Sequence, residues 1–291
     1  MKWVALLLLI GSIQFFPRAC EVMALSQSDI YLSSRVVPQG DLGLIKIKVE
    51  NGEIPQVTWL QKEVHLVSNH LKKDWYGFLG VDLMANPGTY KVAVKTLPSG
   101  DEERLGIKII QKDYGVRRLT LPKHMVDLDA QTLKRVKKES RIMKNLWKAP
   151  PSIPRWRGTF LKPVPGDVRG PFGRKSIIND QPRAPHSGVD LKGEREAPIK
   201  AINNGRVALT GNHFFTGLTV VIDHGGGIQS MYFHLDKITV KKGEMVTRGN
   251  VIGLVGSTGR ATGPHLHWGI RINGARVNPL RLTILSTELE E

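Results

Sequence analysis

A single cysteine, Cys20, occurs in the 291 residues, and it lies close to the amino terminus. Uninterrupted apolar stretches are equally scarce. The mostly apolar run Val4 to Phe16 falls short of the ~20 residues needed for a membrane-spanning helix. With Lys2 before it and Val22-Met23-Ala24 after it, the run reads as the core of a signal peptide over residues 1–24; an uncleaved amino-terminal anchor is the alternative. Pro17-Arg18 ahead of Cys20 makes a poor lipoprotein signal, and cleavage after Ala24 removes the cysteine. A mature chain without cysteine has no disulfide, so its stability rests on core packing, which its length allows. Acidic side chains are also few, 26 against 42 lysines and arginines, for a formal net charge of +16. Such a surface seeks polyanions. No nucleic-acid-binding motif is present, so nucleic acid is not the expected partner. An exported chain, in the periplasm or cell envelope, meets acidic wall polymer or anionic lipid first, and a basic surface that serves only solubility stands equally well.

A hydrophobic share of 41% with 23% charged is globular composition and excludes extensive disorder. Residues 25–115 alternate with period two: Ile45-Lys46-Ile47-Lys48-Val49 and Tyr90-Lys91-Val92-Ala93-Val94-Lys95 place apolar groups on one face and lysines largely on the other. Asn51-Gly52, Asn86-Pro87-Gly88 and Pro98-Ser99-Gly100 punctuate them, which predicts a small immunoglobulin-like β-sandwich. His65 and His70 lie there without partners at ligand spacing and read as ordinary surface or sheet residues.

Residues 116–155 change character. Leu133, Val136, Met143, Leu146 and Trp147 recur at helical intervals, Asp127 or Asp129 can cap the start, and Pro150-Pro151 stops the run. Lys134, Arg135, Lys137, Lys138, Arg141, Lys144 and Lys148 lie between them. The segment reads as a basic helical connector packed on a neighbouring domain, with contact to cell wall or an anionic membrane surface as the alternative. Because a proline-stopped helix divides the chain, a fragment from about Ser152 is expected to fold alone. Residues 156–291 show short Val-, Ile- and Gly-rich strands and no long helical period, which predicts a second, all-β domain. Gly225-Gly226-Gly227 lacks the lysine and following helix of a phosphate loop and reads as a hairpin turn; His224 braces it, and His213 falls at the rim of any groove.

Two short segments of this last domain carry chemistry. His186-Ser187-Gly188-Val189-Asp190 and Gly263-Pro264-His265-Leu266-His267-Trp268 each offer an imidazole and a second metal-capable group. On a strand, His265 and His267 point to one face about 6.7 Å apart, near enough to address one ion and its bound water. Four extended residues from His186 to Asp190 would span about 13 Å, so the chain must bend between them, and Gly188 can supply that bend. Two imidazoles and a carboxylate suit zinc, and three protein ligands leave a fourth position for water. Tyr232-x-His234 ends a strand, where alternation lets His234 face the same groove. Four such histidines and an aspartate in one glycine-rich β domain are improbable as independent core choices.

His186-x-x-x-Asp190, Tyr232-x-His234-Leu235 and the run Gly256-Ser257-Thr258-Gly259-Arg260-Ala261-Thr262-Gly263-Pro264-His265-Leu266-His267 resemble the lysostaphin-type (LytM-like) zinc metallopeptidases that cut peptidoglycan peptides. The resemblance runs from about Gly166 to Leu282. It implies a two-sheet β core with its site in a groove, Zn2+ as cofactor, His186, Asp190 and His267 as metal ligands, and His234 and His265 as catalytic histidines that handle protons and the developing oxyanion. The departures are Asn179-Asp180, where many relatives read Asn-Gly, and the run Lys192 to Ile199. Both concern groove shape rather than chemistry. A zinc endopeptidase acting on peptidoglycan cross-links, by context a D,D-endopeptidase, is the expected function. A non-catalytic wall-binding module or an activator of another hydrolase is the alternative, although such degenerate relatives usually lack ligands.

Overall fold

The computed structural model describes residues 29–49, 53–69 and 74–289. The leader and His70 lie outside the described residues. The front unit has two sheets. One, antiparallel throughout, runs Ile30–Leu32, Leu42–Lys48, Asp74–Gly80, Val67–Asn69. The other runs Val36–Pro38, Glu102–Ile110, Gly88–Leu97, Ile54–Trp59, Lys62–Val64, with its first strand parallel to its neighbour. Ile45, Ile47 and Leu79 from the first sheet meet Val57, Val92, Val94, Leu105 and Ile107 from the second in a closed core. In the second sheet the period-two reading holds, with Val92 and Val94 buried and Lys91 and Lys95 exposed.

The first sheet departs from that pattern, because Leu44 and Ile45, adjacent in sequence and therefore on opposite faces, are both fully buried. Its outer face, Leu42, Leu44, Tyr76 and Phe78, packs into the core of the last domain. Phe78 lies 5.4 Å from Trp156 and 6.2 Å from Phe160 between ring centroids. A polar clamp accompanies the apolar contact: Arg276 donates from Nε to Asp82 Oδ2 at 2.9 Å, and the Asn278 backbone N–H donates to Gly40 O at 2.8 Å. The front unit thus keeps a core between its own sheets and lends the outer face of one sheet to the core of the last domain.

The last domain is mainly β, as expected. Its principal sheet runs Val168–Gly170, Gly188–Lys192, His265–Ile272, Ile228–Ile238, Gly217–Gly225, Gly205–His213, Met245–Val246. Val251–Val255 pairs with Ile228–Ile238 and with Pro198–Lys200. One short helix, Pro279–Thr287, was not anticipated. Asn278 caps it, Pro279 starts it, and Leu282 and Leu285 bury its inner side; so few turns leave little helical period to read.

The connector helix spans Ala130–Lys148, and of the two candidate caps Asp129 is the one that accepts from Thr132 N–H. Met143, Leu146 and Trp147 pack on Leu209, Val221, Met231 and Phe233, while Lys134, Lys137, Lys138, Arg141, Lys144 and Lys148 stay exposed. Ahead of the helix, Val116–Leu119 pairs in parallel with Lys175–Ile178, which forms a hairpin with Gln181–Arg183. Asn179 and Asp180, at φ 48° and 59°, make the tight turn of that hairpin. The Asn179 amide exchanges hydrogen bonds with the Leu121 backbone at 2.9 Å each way, so the first residue of this turn ties the connector to the groove described next.

Candidate metal centre

Asp190 and His267 lie directly opposite one another on the paired strands Gly188–Lys192 and His265–Ile272, so their side chains share one face. His186 precedes the first strand and is pinned by its backbone N–H to Arg174 O at 2.9 Å. His186 Nε2 and His267 Nδ1 each lie 2.9 Å from Asp190 Oδ1 and 3.0 Å from one another. The three are the one cluster of potential metal ligands among the described residues.

The donors fit a divalent cation. His186 Nδ1 sits 2.9 Å from the carbonyl of Pro171, which can only accept; Nδ1 therefore holds the proton and Nε2 turns a lone pair inward. Burial lowers the pKa of His267, more than the neighbouring Asp190 carboxylate raises it. Burial alone would raise Asp190, but the two imidazoles His186 and His267 held against it outweigh burial and keep the carboxyl ionised, well below the usual carboxylate range. Imidazole lone pairs and a carboxylate oxygen converging on one point repel each other unless a cation lies between them.

Packing holds this geometry. The Phe233 ring stacks on His267 at 5.2 Å with an interplanar angle of 2°. Gly188 is required by space rather than by a bend, since a Cβ there would lie 2.7 Å from His267 Nε2 and 2.5 Å from Trp268 O. Gly170, which the sequence did not single out, plays the same part for the aspartate: its Cβ would lie 2.1 Å from Asp190 Oδ2.

His234 and His265 stand beside the cluster, 4.9 Å apart between ring centroids. His234 Nδ1 faces Thr258 O at 2.8 Å and His265 Nδ1 faces Gly263 O at 2.8 Å, so each ring turns an unprotonated Nε2 to the groove. His265 Nε2 is 3.9 Å from Asp190 Oδ1. His234 reaches the groove for a reason other than alternation. Tyr232 is fully buried in the main core and Phe233 faces the groove, so strict alternation would return His234 to the core. Instead it adopts a left-handed φ of 65°, which breaks the period and turns the ring outward. Burial lowers its pKa to about 3.

The remaining histidines stand apart. His224 braces its turn through Asn204 O at 2.8 Å and Ser230 Oγ at 2.7 Å. His65 lies 4.0 Å from Glu63 in the front unit. His213 is buried beside Glu139 and Arg135 of the connector helix and does not line the groove, contrary to its expected place at the rim. The groove has a volume of about 550 Å³. Besides the five expected residues it is lined by Arg117, Leu119 and Leu121 of the connector and by Arg169, Arg174 and Arg260. Arginines spread along a basic chain carry no spacing signal, so the sequence did not reveal them.

A β groove with two histidines and an aspartate placed so that they could hold a metal ion, and two further imidazoles beside them, is the arrangement of a metal-dependent hydrolase. The family model described as Peptidase family M23 matches residues 184–279. A crystal structure from Pseudomonas aeruginosa assigned to peptidase M23 is 34% identical, with a TM-score of 0.67 over 85% of this chain and 94% of that one. The chain belongs to peptidase family M23. It is 46% identical over 101 residues to the peptidoglycan DD-endopeptidase ShyA of Vibrio cholerae, covering 35% of this chain and 24% of that protein. It is also 40% identical over 106 residues to the DD-carboxypeptidase/endopeptidase Mpg of Neisseria meningitidis, covering 36% and 24%. The matches thus span about a quarter of these relatives.

Proposed function

We propose that this chain is a zinc-dependent endopeptidase of the bacterial cell envelope that hydrolyses peptide cross-links of peptidoglycan as a D,D-endopeptidase. The observation that carries the reading is the convergence of His186, Asp190 and His267 on one point, 2.9–3.0 Å apart, beside two imidazoles with free Nε2 atoms. His186, Asp190 and His267 would hold the zinc. When bound, zinc polarises a scissile carbonyl and lowers the pKa of water towards neutrality. The groove between the connector strand and the loop 260–265 holds the peptide extended with its carbonyl over the cluster. The Nε2 of His234 or His265 accepts the proton of the attacking water. The imidazolium so formed donates a hydrogen bond to the oxyanion of the tetrahedral intermediate and then passes its proton to the leaving amine. Asp190, held ionised, keeps both ligand rings in register. ShyA and Mpg, named for action on D,D bonds, support the bond assigned.

The test is incubation of purified cross-linked muropeptide dimer with the zinc-loaded chain, read by chromatography and mass spectrometry. Monomers released by wild type and not by His265→Ala are the expected result. Cleavage of pentaglycine but not of the dimer would refute the bond, and cleavage of neither would favour a wall-binding module or activator.

A further inference from the structure

The groove has a charge imbalance that the proposed chemistry does not use. Arg117, Arg169, Arg174 and Arg260 line it, and Asp190 is the one acidic residue that does. The Oδ1 of that carboxylate is taken up by the two ligand histidines, which leaves Oδ2 for Arg117 Nη1 at 3.6 Å. A divalent cation at the cluster would make the site more positive still.

Two of the four arginines are not ordinary surface cations. Arg117 is half-buried and anchored by Nε to Ser176 Oγ at 2.9 Å, which directs its fork into the groove. Arg260 is half-buried as well, lying over the Phe215 ring at 4.2 Å. Its polar contact is a marginal one, to Met125 O at 3.5 Å, and no carboxylate among the described residues lies within ion-pair distance of it. Burial, Arg183 and Arg117 all lower its pKa, the mark of a cation without its counter-ion. A desolvated guanidinium with unused donors is costly unless an anion completes it.

The geometry points to Arg260 and Arg117 as a carboxylate-binding pair, so that the peptide this groove selects is one with free carboxylates flanking the scissile bond. The inference rests on the peptidase reading for the identity of the peptide, but not for the binding itself. It also gives the connector a role in recognition, because Arg117 lies outside the matched residues 184–279.

The experiment measures binding by calorimetry, using the full zinc-loaded chain in a His265→Ala background that suppresses turnover. The probes are a cross-linked muropeptide dimer with free carboxylates and the same dimer with those carboxylates amidated. The acidic dimer is expected to bind at least about tenfold tighter, as befits one charge-assisted pair. Adding Arg260→Gln should erase most of that preference at unchanged zinc content, and Arg260→Lys should retain part of it. Arg117→Gln supplies a second, independent loss should the Arg260 variant fold poorly. Equal affinities, binding of neither dimer, or a preference undiminished in both glutamine variants overturns the inference. Preference without cleavage by wild type would sink the peptidase reading alone, and cleavage without preference would sink only the carboxylate pair.

Discussion

Phe78→Ala probes whether the front unit is structurally part of the hydrolase. Phe78 belongs to the front sheet by sequence, yet its side chain is 3% exposed and lies among Trp156 and Phe160 of the other domain. Truncation removes that aromatic contact and leaves a cavity between sheet and domain, at a cost of about 3–5 kcal/mol. For a folding unit of this size the melting temperature should fall by roughly 6–20 °C. Because the outer face of the first sheet completes the core of the last domain, the whole chain should melt in a single transition that moves as a body. The assay is differential scanning calorimetry of the metal-free chain, repeated at a fixed zinc concentration because ligand binding itself shifts the midpoint. Val94→Ala, within the sandwich core proper, serves as comparison. Two separate transitions, with only the earlier displaced by Phe78→Ala, would refute the shared core. So would a fragment from Ser152 that melts as cooperatively as the full chain, since it would expose Trp156 and Phe160.

Other consequences are sharper in their chemistry. Alanine at His186, Asp190 or His267 should abolish bound zinc and activity, whereas His234→Ala and His265→Ala should keep zinc and lose activity by about 10²–10⁴-fold; stoichiometric zinc in His186→Ala by elemental analysis would break the ligand assignment. Gly170→Ala, whose new Cβ would sit 2.1 Å from Asp190 Oδ2, should weaken zinc binding while circular dichroism stays unchanged; unaltered affinity in a chelator competition would contradict the packing. His224 is fully buried with its pKa lowered to about 4, so the folded chain prefers the neutral ring. The unfolded chain then binds more protons between about pH 6.5 and 4, and stability, full above that window, should drop by roughly 3 kcal/mol as pH falls through it. Urea midpoints of metal-free wild type and His224→Gln at pH 7 and 4.5 check the sign, and an identical pH slope in both would refute it.

The candidate metal cluster was legible because its spacings are local. His265-x-His267 on a strand is a period-two statement, and His186-x-x-x-Asp190 requires only that the chain turn before a strand begins, so ligand-capable atoms could be named before any coordinates. The mainly β character, the amphipathic connector and the bracing role of His224 follow from the same local regularities. His234 was rightly brought to the groove on a wrong argument: alternation points it inward, and a left-handed residue that no periodicity encodes points it out.

Neighbours far apart in sequence could be supplied only by the tertiary structure. Leu44 and Phe78 look like one face of an ordinary half-exposed sheet until the second domain covers them. Arg117 is one of many arginines until a parallel pairing of Val116–Leu119 with Lys175–Ile178 carries it to Asp190. Gly170 becomes significant only when a carboxylate occupies the place of its missing side chain. The sequence alone determined which atoms could bind a metal and which strands could carry them, because side-chain chemistry and strand period are properties of a few consecutive residues. Burial on both faces, the charge of the groove and the part played by the connector depend on pairings between distant segments, and those exist only once the chain has folded.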